Sequence, residues 1–368
     1  MTRLKQPMAI QGIGCVGGFG SGNDQFVSAL KTGHTNATTV ELNHPTGQHT
    51  LPALLANTDR LTDFVPRRSL RRIDHFSRMA LLGGYLAIED AGIAVEDCGR
   101  IGIIVASGYG AANTTFNFLE SILDDGDNCA SPTSFSNSVH NVAAAYLSMQ
   151  LQALGPNLTI SQFDLSMSSA LHNAACWLAQ GRVDTVLVGG VDEHSSLLNY
   201  CYQRYFTVAD ASDAVEQIDP FDFGRQSAVV GEGAAFLVLS RHADKSKYGF
   251  IDGLDAGDLS QRSAEIDSEL LMVGADGHQA YGAMYEQWPT TQSLLNCTPC
   301  YGSLPVGQAF DLAAAGLMLR EQSCCGVARQ QPTGCTAQSS FDSIASLKCA
   351  ANNQFSLVHL SRHGGDDA

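Results

Sequence analysis

The residue whose placement most resembles a reactive position is Asp164. It lies between Leu158–Phe163, an apolar run suited to a buried strand, and a helical stretch running to about Gln180, which Gly181 is placed to stop. Thr185–Val188 follows as a second apolar strand that closes on Gly189-Gly190. Such a strand–elbow–helix–strand unit presents one side chain at a helix N-terminus. An acyl-transferring enzyme would place its nucleophile there, because the dipole and free N–H groups stabilise a thiolate or oxyanion. An aspartate there reads first as an N-cap, which stabilises a helix by on the order of 1 kcal/mol. The alternative is acid–base chemistry.

Two other motifs carry less. Cys297 and Cys300 form a CxxC near Cys324, Cys325 and Cys335, without a second CxxC or a histidine at ligand spacing. Small buried hydrophobes are the better reading than zinc, and no metal is expected. Gly12, Gly14 and Gly17 have GxGxxG spacing. A dinucleotide site needs a helix starting inside the run and an acid about twenty residues on, after a second strand. Glu41 is too far along and follows no strand, so a first strand with a tight glycine turn is expected, and no cofactor.

Around these motifs, Asp74 to Ala91 has apolar residues at helical spacing, with Asp74 as cap and Gly92 as stop, after the basic stretch RRSLRR. Ile101 starts a strand. Phe135–Met149 reads as a small-residue helix suited to a subunit interface or to core packing. A second half restarts near Tyr205, giving an expected division at 1–204 and 205–368. It contains DPFDFGR, the strand Ala234–Ser240, SLPVGQAFDLAAAGLML and a closing strand near Phe355–Leu360. Alternation of strands and helices predicts mainly parallel sheets covered on both faces. The final GGDDA reads as a frayed tail.

The chain has 368 residues, 44% apolar and 16% charged, which fits a well-packed α/β protein. A net charge of −16 argues against nucleic acid, and against an acidic carrier protein docking without a more basic companion. No stretch approaches the roughly 18 apolar residues of a membrane span, and the N-terminus lacks a signal peptide's apolar region, so a cytoplasmic location is expected. The eleven cysteines then read as mostly reduced thiols.

RRIDHFSRMALLGGYLAIEDAGI, SPTSFSNSVHNVAAAYLSM, GPNLTISQFD, RVDTVLVGGVDE and DPFDFGRQSAVVGEGAAFLVL occur in order along nearly the whole chain. With these landmarks it resembles the β-ketoacyl synthases of the thiolase-like superfamily. The resemblance implies a five-layer αβαβα sandwich built from two similar halves, each with a five-stranded sheet. It also implies a dimer formed along sheet edges and a buried acyl tunnel. Active members carry a cysteine and two histidines. Here GPNLTISQFD places Asp164 at the cysteine, VGADGHQA places Asp276 at the first histidine, and VGQAFDLAAAG places Gln308 at the second. SLKCAANN stands where the family has a Gly-Phe-Gly-Gly loop.

Condensation needs a nucleophile that holds an acyl thioester and two imidazoles that support decarboxylation and the enolate. A carboxylate is a poor substitute for the first, and Asp276 would bring charge of the wrong sign. Two such charges at an effective dielectric near 20 repel by roughly 4 kcal/mol, about three decades of rate, unless the pair shares a proton. His172 lies about two turns, roughly 12 Å, down the helix and offers no rescue. His278 is close enough to Asp276 to enter the pocket, but a solvated loop position is the expected one.

The resemblance therefore implies a catalytically inactive chain-length-factor subunit, most like the partner subunits of bacterial aryl polyene clusters, although the common factor has glutamine at the elbow. It would form a heterodimer with an active ketosynthase, receive acyl carrier protein through that partner, and line the far end of the acyl tunnel. By position, the tunnel candidates are Thr115, Phe116, Thr133, Ser134 and Phe135. Two alternatives stay open: a free-standing acyl-thioester decarboxylase or hydrolase using Asp164 and Asp276, and a scaffold without influence on chain length.

Overall fold

In the computed structural model, all residues are described except 1, 34, 45–46, 127, 129, 202–217, 262–265, 289–291, 330–339 and 365–368. The expected restart at Tyr205, the tail after Gly364, and Cys335 lie outside the described residues.

One twelve-stranded sheet runs through the molecule. From one edge, the strands Asn157–Ile160, Gly102–Ala106, Thr185–Asp192, Gly233–Ser240 and Arg3–Gly17 follow each other. Phe250–Asp258, Gln354–Ser361, Ser343–Ala350, Leu270–Val273, Ser293–Asn296 and Val327–Ala328 continue to the other edge, and the twelfth strand, Gly20–Ser21, pairs with Arg3–Gly17 off this path. Gly233–Ser240 is hydrogen-bonded between Thr185–Asp192 and Arg3–Gly17, so the first set of strands includes residues beyond the 204/205 division.

The sheet is mixed, not mainly parallel. Parallel pairs flank an antiparallel centre. Part of the reason is local. Ser343–Ala350 and Gln354–Ser361 are joined by a three-residue turn in which Asn352 and Asn353 adopt φ of 59° and 61°, a conformation asparagine tolerates better than most residues. So short a turn returns the chain antiparallel.

The helix expected from Asp74 is found as His75–Asp90, and Asp74 Oδ1 accepts from the Ser77 N–H at 2.8 Å. It lies directly on the first strand. A Cβ on Gly12 would stand 2.4 Å from Ala87 O, and one on Gly14 would stand 2.2 Å from Gly83 O. The glycines of the GxGxxG run thus permit close strand–helix packing, and Gly12 and Gly14 sit inside the strand and not in a turn. The small-residue helix is two helices, Pro132–Asn137 and Val142–Gln150, broken at the polar residues between them.

Two helices, Ser166–Ala179 and Gly307–Glu321, share one hydrophobic core with strands from both parts of the sheet. Met167, Ala170, Leu171 and Ala174 come from the first helix; Phe310, Leu312, Ala313 and Ala314 come from the second. Helices His75–Asp90 and Val142–Gln150 form a second core on an outer face, and the region of helix Gln279–Glu286 forms a third. The segments that lead into the two inner helices, at Asp164–Leu165 and Leu304–Pro305, line the cavity described next.

Candidate functional site

A cavity of about 500 Å³ opens where the inner helices begin. Asp164, Asp276, His278 and Tyr281 face it, beside apolar residues that include Tyr109, Leu198, Leu304 and Pro305. Asp164 is buried in a short 3-10 turn, Phe163–Leu165, preceding the helix Ser166–Ala179. Its neighbour Phe163 is exposed and has a φ of 46°, a strained value for a bulky residue that turns the chain sharply here.

The expected N-cap role of Asp164 is not what the structure shows. Leu165 occupies the cap position, without a side-chain hydrogen bond. Ser166 ties the turn instead, its Oγ accepting from the Gln162 N–H at 2.8 Å and lying 3.0 Å from Ser107 O. The Asp164 carboxylate is directed to Lys348, with Oδ1 3.4 Å from Nζ. A buried ammonium is a stronger partner than a backbone amide.

Lys348 is a site residue that no local sequence motif marks. It lies in SLKCAANN, within the strand Ser343–Ala350, and is 1% exposed. Its Nζ also lies 3.0 Å from Asp276 Oδ2 and donates to Gly274 O at 3.3 Å. Asp276 follows the strand Leu270–Val273; its carbonyl accepts from Ser303 Oγ at 2.6 Å. Asp164 and Asp276 are therefore brought together, but around a lysine and not against each other. No shared proton is needed to relieve them. A lysine within an otherwise apolar strand was the available signal, since a buried ammonium requires carboxylate partners.

The charges settle accordingly. Burial opposes an ionised Lys348, but Asp276 and then Asp164 outweigh it and hold the ammonium far above its ordinary range. Burial also pushes Asp276 up, yet Lys348 and His278 outweigh it and keep that carboxylate below its usual value. For Asp164 burial wins over Lys348, with Asp276 adding to it, and the pKa rises to about 6. His278 is lowered by burial. It is not the solvated loop residue expected: it is 8% exposed, its Nδ1 is 3.2 Å from Gln226 Nε2, and its ring packs edge-on to Tyr281.

Gln308 is fully buried at the start of the helix Gly307–Glu321. It does not line the cavity: its Oε1 accepts from Ser356 Oγ at 3.1 Å, and its Nε2 is 3.5 Å from Ser346 O, so it is turned to the sheet. The landmark RVDTVLVGGVDE does not line the cavity but supports Tyr109, which does. Asp192, at its end, accepts from Ser107 Oγ at 2.7 Å and from the N–H groups of Gly108 and Tyr109, which fixes the loop carrying Tyr109. His172 is bonded at Nδ1 to Ser168 O, away from the cavity-lining residues.

The tunnel candidates lie elsewhere. Thr115 and Phe116 are half-buried in the helix Ala112–Asp125; Ser134 is half-buried, and Thr133 and Phe135 are exposed, in Pro132–Asn137. None of the five lines the cavity of the single chain. Among the described residues, no group of three or more histidine, cysteine or acidic side chains is arranged to hold a metal, and no helix is long and apolar enough to cross a membrane.

Comparison with known proteins gives the class. The ishigamide ketosynthase/chain length factor superposes with a TM-score of 0.80 over 98% of this chain and 100% of that one, at 16% identity. A type II polyketide synthase acyl-carrier protein in complex with its ketosynthase, bound to the hexaketide, gives 0.74 over 97% and 99%, at 14% identity. A β-ketoacyl synthase of Burkholderia phymatum STM815 gives 0.75. The fold is thus that of the thiolase-like ketosynthases.

The family follows from sequence. Residues 5–245 match the β-ketoacyl synthase N-terminal domain, and the chain belongs to the β-ketoacyl synthase family. The 3-oxoacyl-(acyl-carrier-protein) synthase 2 of Vibrio harveyi is 24% identical over 280 residues, 74% of this chain and 63% of that protein. Its counterpart in Staphylococcus aureus strain N315 is 26% identical over 222 residues, 59% and 50% respectively. The chain spans less than two thirds of the length of these relatives.

Proposed function

We propose that this chain is a non-condensing ketosynthase subunit of the chain-length-factor type, which pairs with an active β-ketoacyl-carrier-protein synthase and shapes its acyl tunnel. The observation that carries the reading is the Asp164–Lys348–Asp276 triad. Each carboxylate stands where an active family member holds a reactive group. Lys348, held charged, is neither a nucleophile nor a proton acceptor at neutral pH. A buried ion set held by one lysine is suited to holding a shape.

A partner surface supports pairing. The strand Asn157–Ile160 ends the sheet, leaving one of its edges without a strand neighbour among the described residues. The helix Val142–Gln150 packs against that strand, and Leu119, Leu123, Phe135, Val139, Met149 and Leu154 are exposed on it, on the mutually packed helices Ala112–Asp125 and Pro132–Asn137, and on the segments adjoining them. That much large apolar surface in one region marks an interaction site. Thr115, Phe116, Thr133, Ser134 and Phe135 belong to the same helices, so they would bound a tunnel from across an interface. Aryl polyene assembly remains the particular setting proposed for the pair, with carrier protein received through the active subunit.

Co-expression with a ketosynthase containing an intact cysteine and two histidines tests this. A stable heterodimer is expected, and enlarging the limiting side chain among the five candidates should shorten the product. Unchanged product length across all five would leave only a scaffold role. A second reading rests on the Asp164 carboxyl, which faces an open cavity with a pKa near 6 and is suited to general acid–base work. Acyl-thioester hydrolysis or decarboxylation by the purified chain, lost in Asp164→Ala, would favour it.

A further inference from the structure

We infer that the cavity at Asp164 is a binding site for an organic monocation, a protonated primary amine with a short apolar tail. Three observations lead there. First, the charges do not cancel: Asp164 and Asp276 both line the cavity, while Lys348 does not line it and supplies a single compensating charge from behind them. His278, lowered by burial, adds none at neutral pH. The same excess acts on Tyr281, whose hydroxyl burial raises, with Asp164 and Asp276 adding to the shift.

Second, Asp164 has capacity left. Lys348 engages it at Oδ1 and its own backbone N–H is a further donor, which leaves an ionised carboxylate with acceptor capacity on the side that faces the cavity. The residue is 8% exposed, so a cation brought to its carboxylate from the cavity meets little competing water. Third, the remaining walls are mainly apolar, with Tyr109, Phe163, Leu198, Leu304 and Pro305 forming a slot that suits a short hydrocarbon chain. A carboxylate or phosphate ligand would meet the wrong sign of field, and a neutral alcohol would leave the extra charge uncompensated.

Asp164 sets the pH dependence. With Asp276 and Lys348 holding fixed charges and Tyr281 neutral, protonation of Asp164 near pH 6 removes the excess negative charge. An alkylammonium remains cationic throughout, so its binding should weaken as pH falls through 6. Nothing in this depends on pairing with a ketosynthase, so the two proposals fail separately.

Isothermal titration of the whole chain with n-hexylammonium, hexan-1-ol and hexanoate at fixed ionic strength tests the site. At pH 7.5 the ammonium should bind at least tenfold more tightly than either analogue, and Asp164→Asn should abolish that preference. On the unmodified chain, affinity for the ammonium should drop at least fivefold between pH 7.5 and 5, a result that needs no variant to fold. Equal binding of the alcohol, tighter binding of hexanoate, pH-independent binding, or no binding of the ammonium would each overturn the inference.

Discussion

Asp164 and Asp276 share one lysine, yet their carboxyls are displaced in opposite directions. Asp276, 3.0 Å from Lys348 Nζ and beside His278, is held below the ordinary carboxylate range; Asp164, 3.4 Å away, is driven by burial to about 6. The closer pair behaves as the fixed ion pair and the longer one as the adjustable member.

Removing the cation should therefore be costly. Lys348→Met leaves two buried carboxylates facing each other without compensation and should lower stability by about 3–5 kcal/mol. Neutralising all three in Asp164→Asn/Lys348→Met/Asp276→Asn should recover most of that loss. Denaturant melts of the single and triple variants decide it; a single variant as stable as the parent would show that the triad does not hold the site together.

Stability should also rise as the pH is lowered from 8 to 6.5. Burial lifts Glu193 to about 8, Asp311 to about 7, and Asp192, like Asp164, to about 6. Unfolded carboxyls titrate near 4, so across this window the native state binds more protons than the unfolded chain, and proton uptake favours folding. His194 and His278, both lowered by burial, pull the other way only below about 6.5. Calorimetry should give a higher Tm at pH 6.5 than at pH 8, and the reverse order would contradict these assignments.

The close strand–helix approach offers a third check. Gly14→Ala would place Cβ 2.2 Å from Gly83 O, a clash with backbone that no rotamer relieves. Overpacking of that kind should cost at least about 1–3 kcal/mol, measured by urea unfolding. Gly92→Ala, at a φ of 68° but with open space around it, should cost less.

Restoring the thiol should not restore chemistry. Asp164→Cys puts sulfur beside Lys348, but Asp276 and Gln308 still provide neither imidazole, and Gln308 is committed to Ser346 and Ser356. Condensation of acyl and malonyl thioesters by this variant should stay at background in a product assay.

Much of this was legible from residue patterns. The helix after Asp74, the close of the central helix at Gly181 and the strand near Phe355 follow from local capping, glycine and alternation signals. The landmarks also carried Asp164 and Asp276 to one cavity. Lys348 was not found because its meaning is non-local: its two carboxylates lie far away in sequence, in other elements. For the same reason, local position alone suggests a cap role for Asp164 and a solvated loop for His278. The antiparallel centre of the sheet depended on strand order, which periodicity does not encode.

The most direct measurement is intact-protein mass spectrometry of this chain, purified together with a cysteine-bearing ketosynthase and exposed to a medium-chain acyl-carrier-protein thioester. Acyl mass is expected on the ketosynthase alone. An acyl adduct on this chain would contradict a reactive centre replaced by the ion triad.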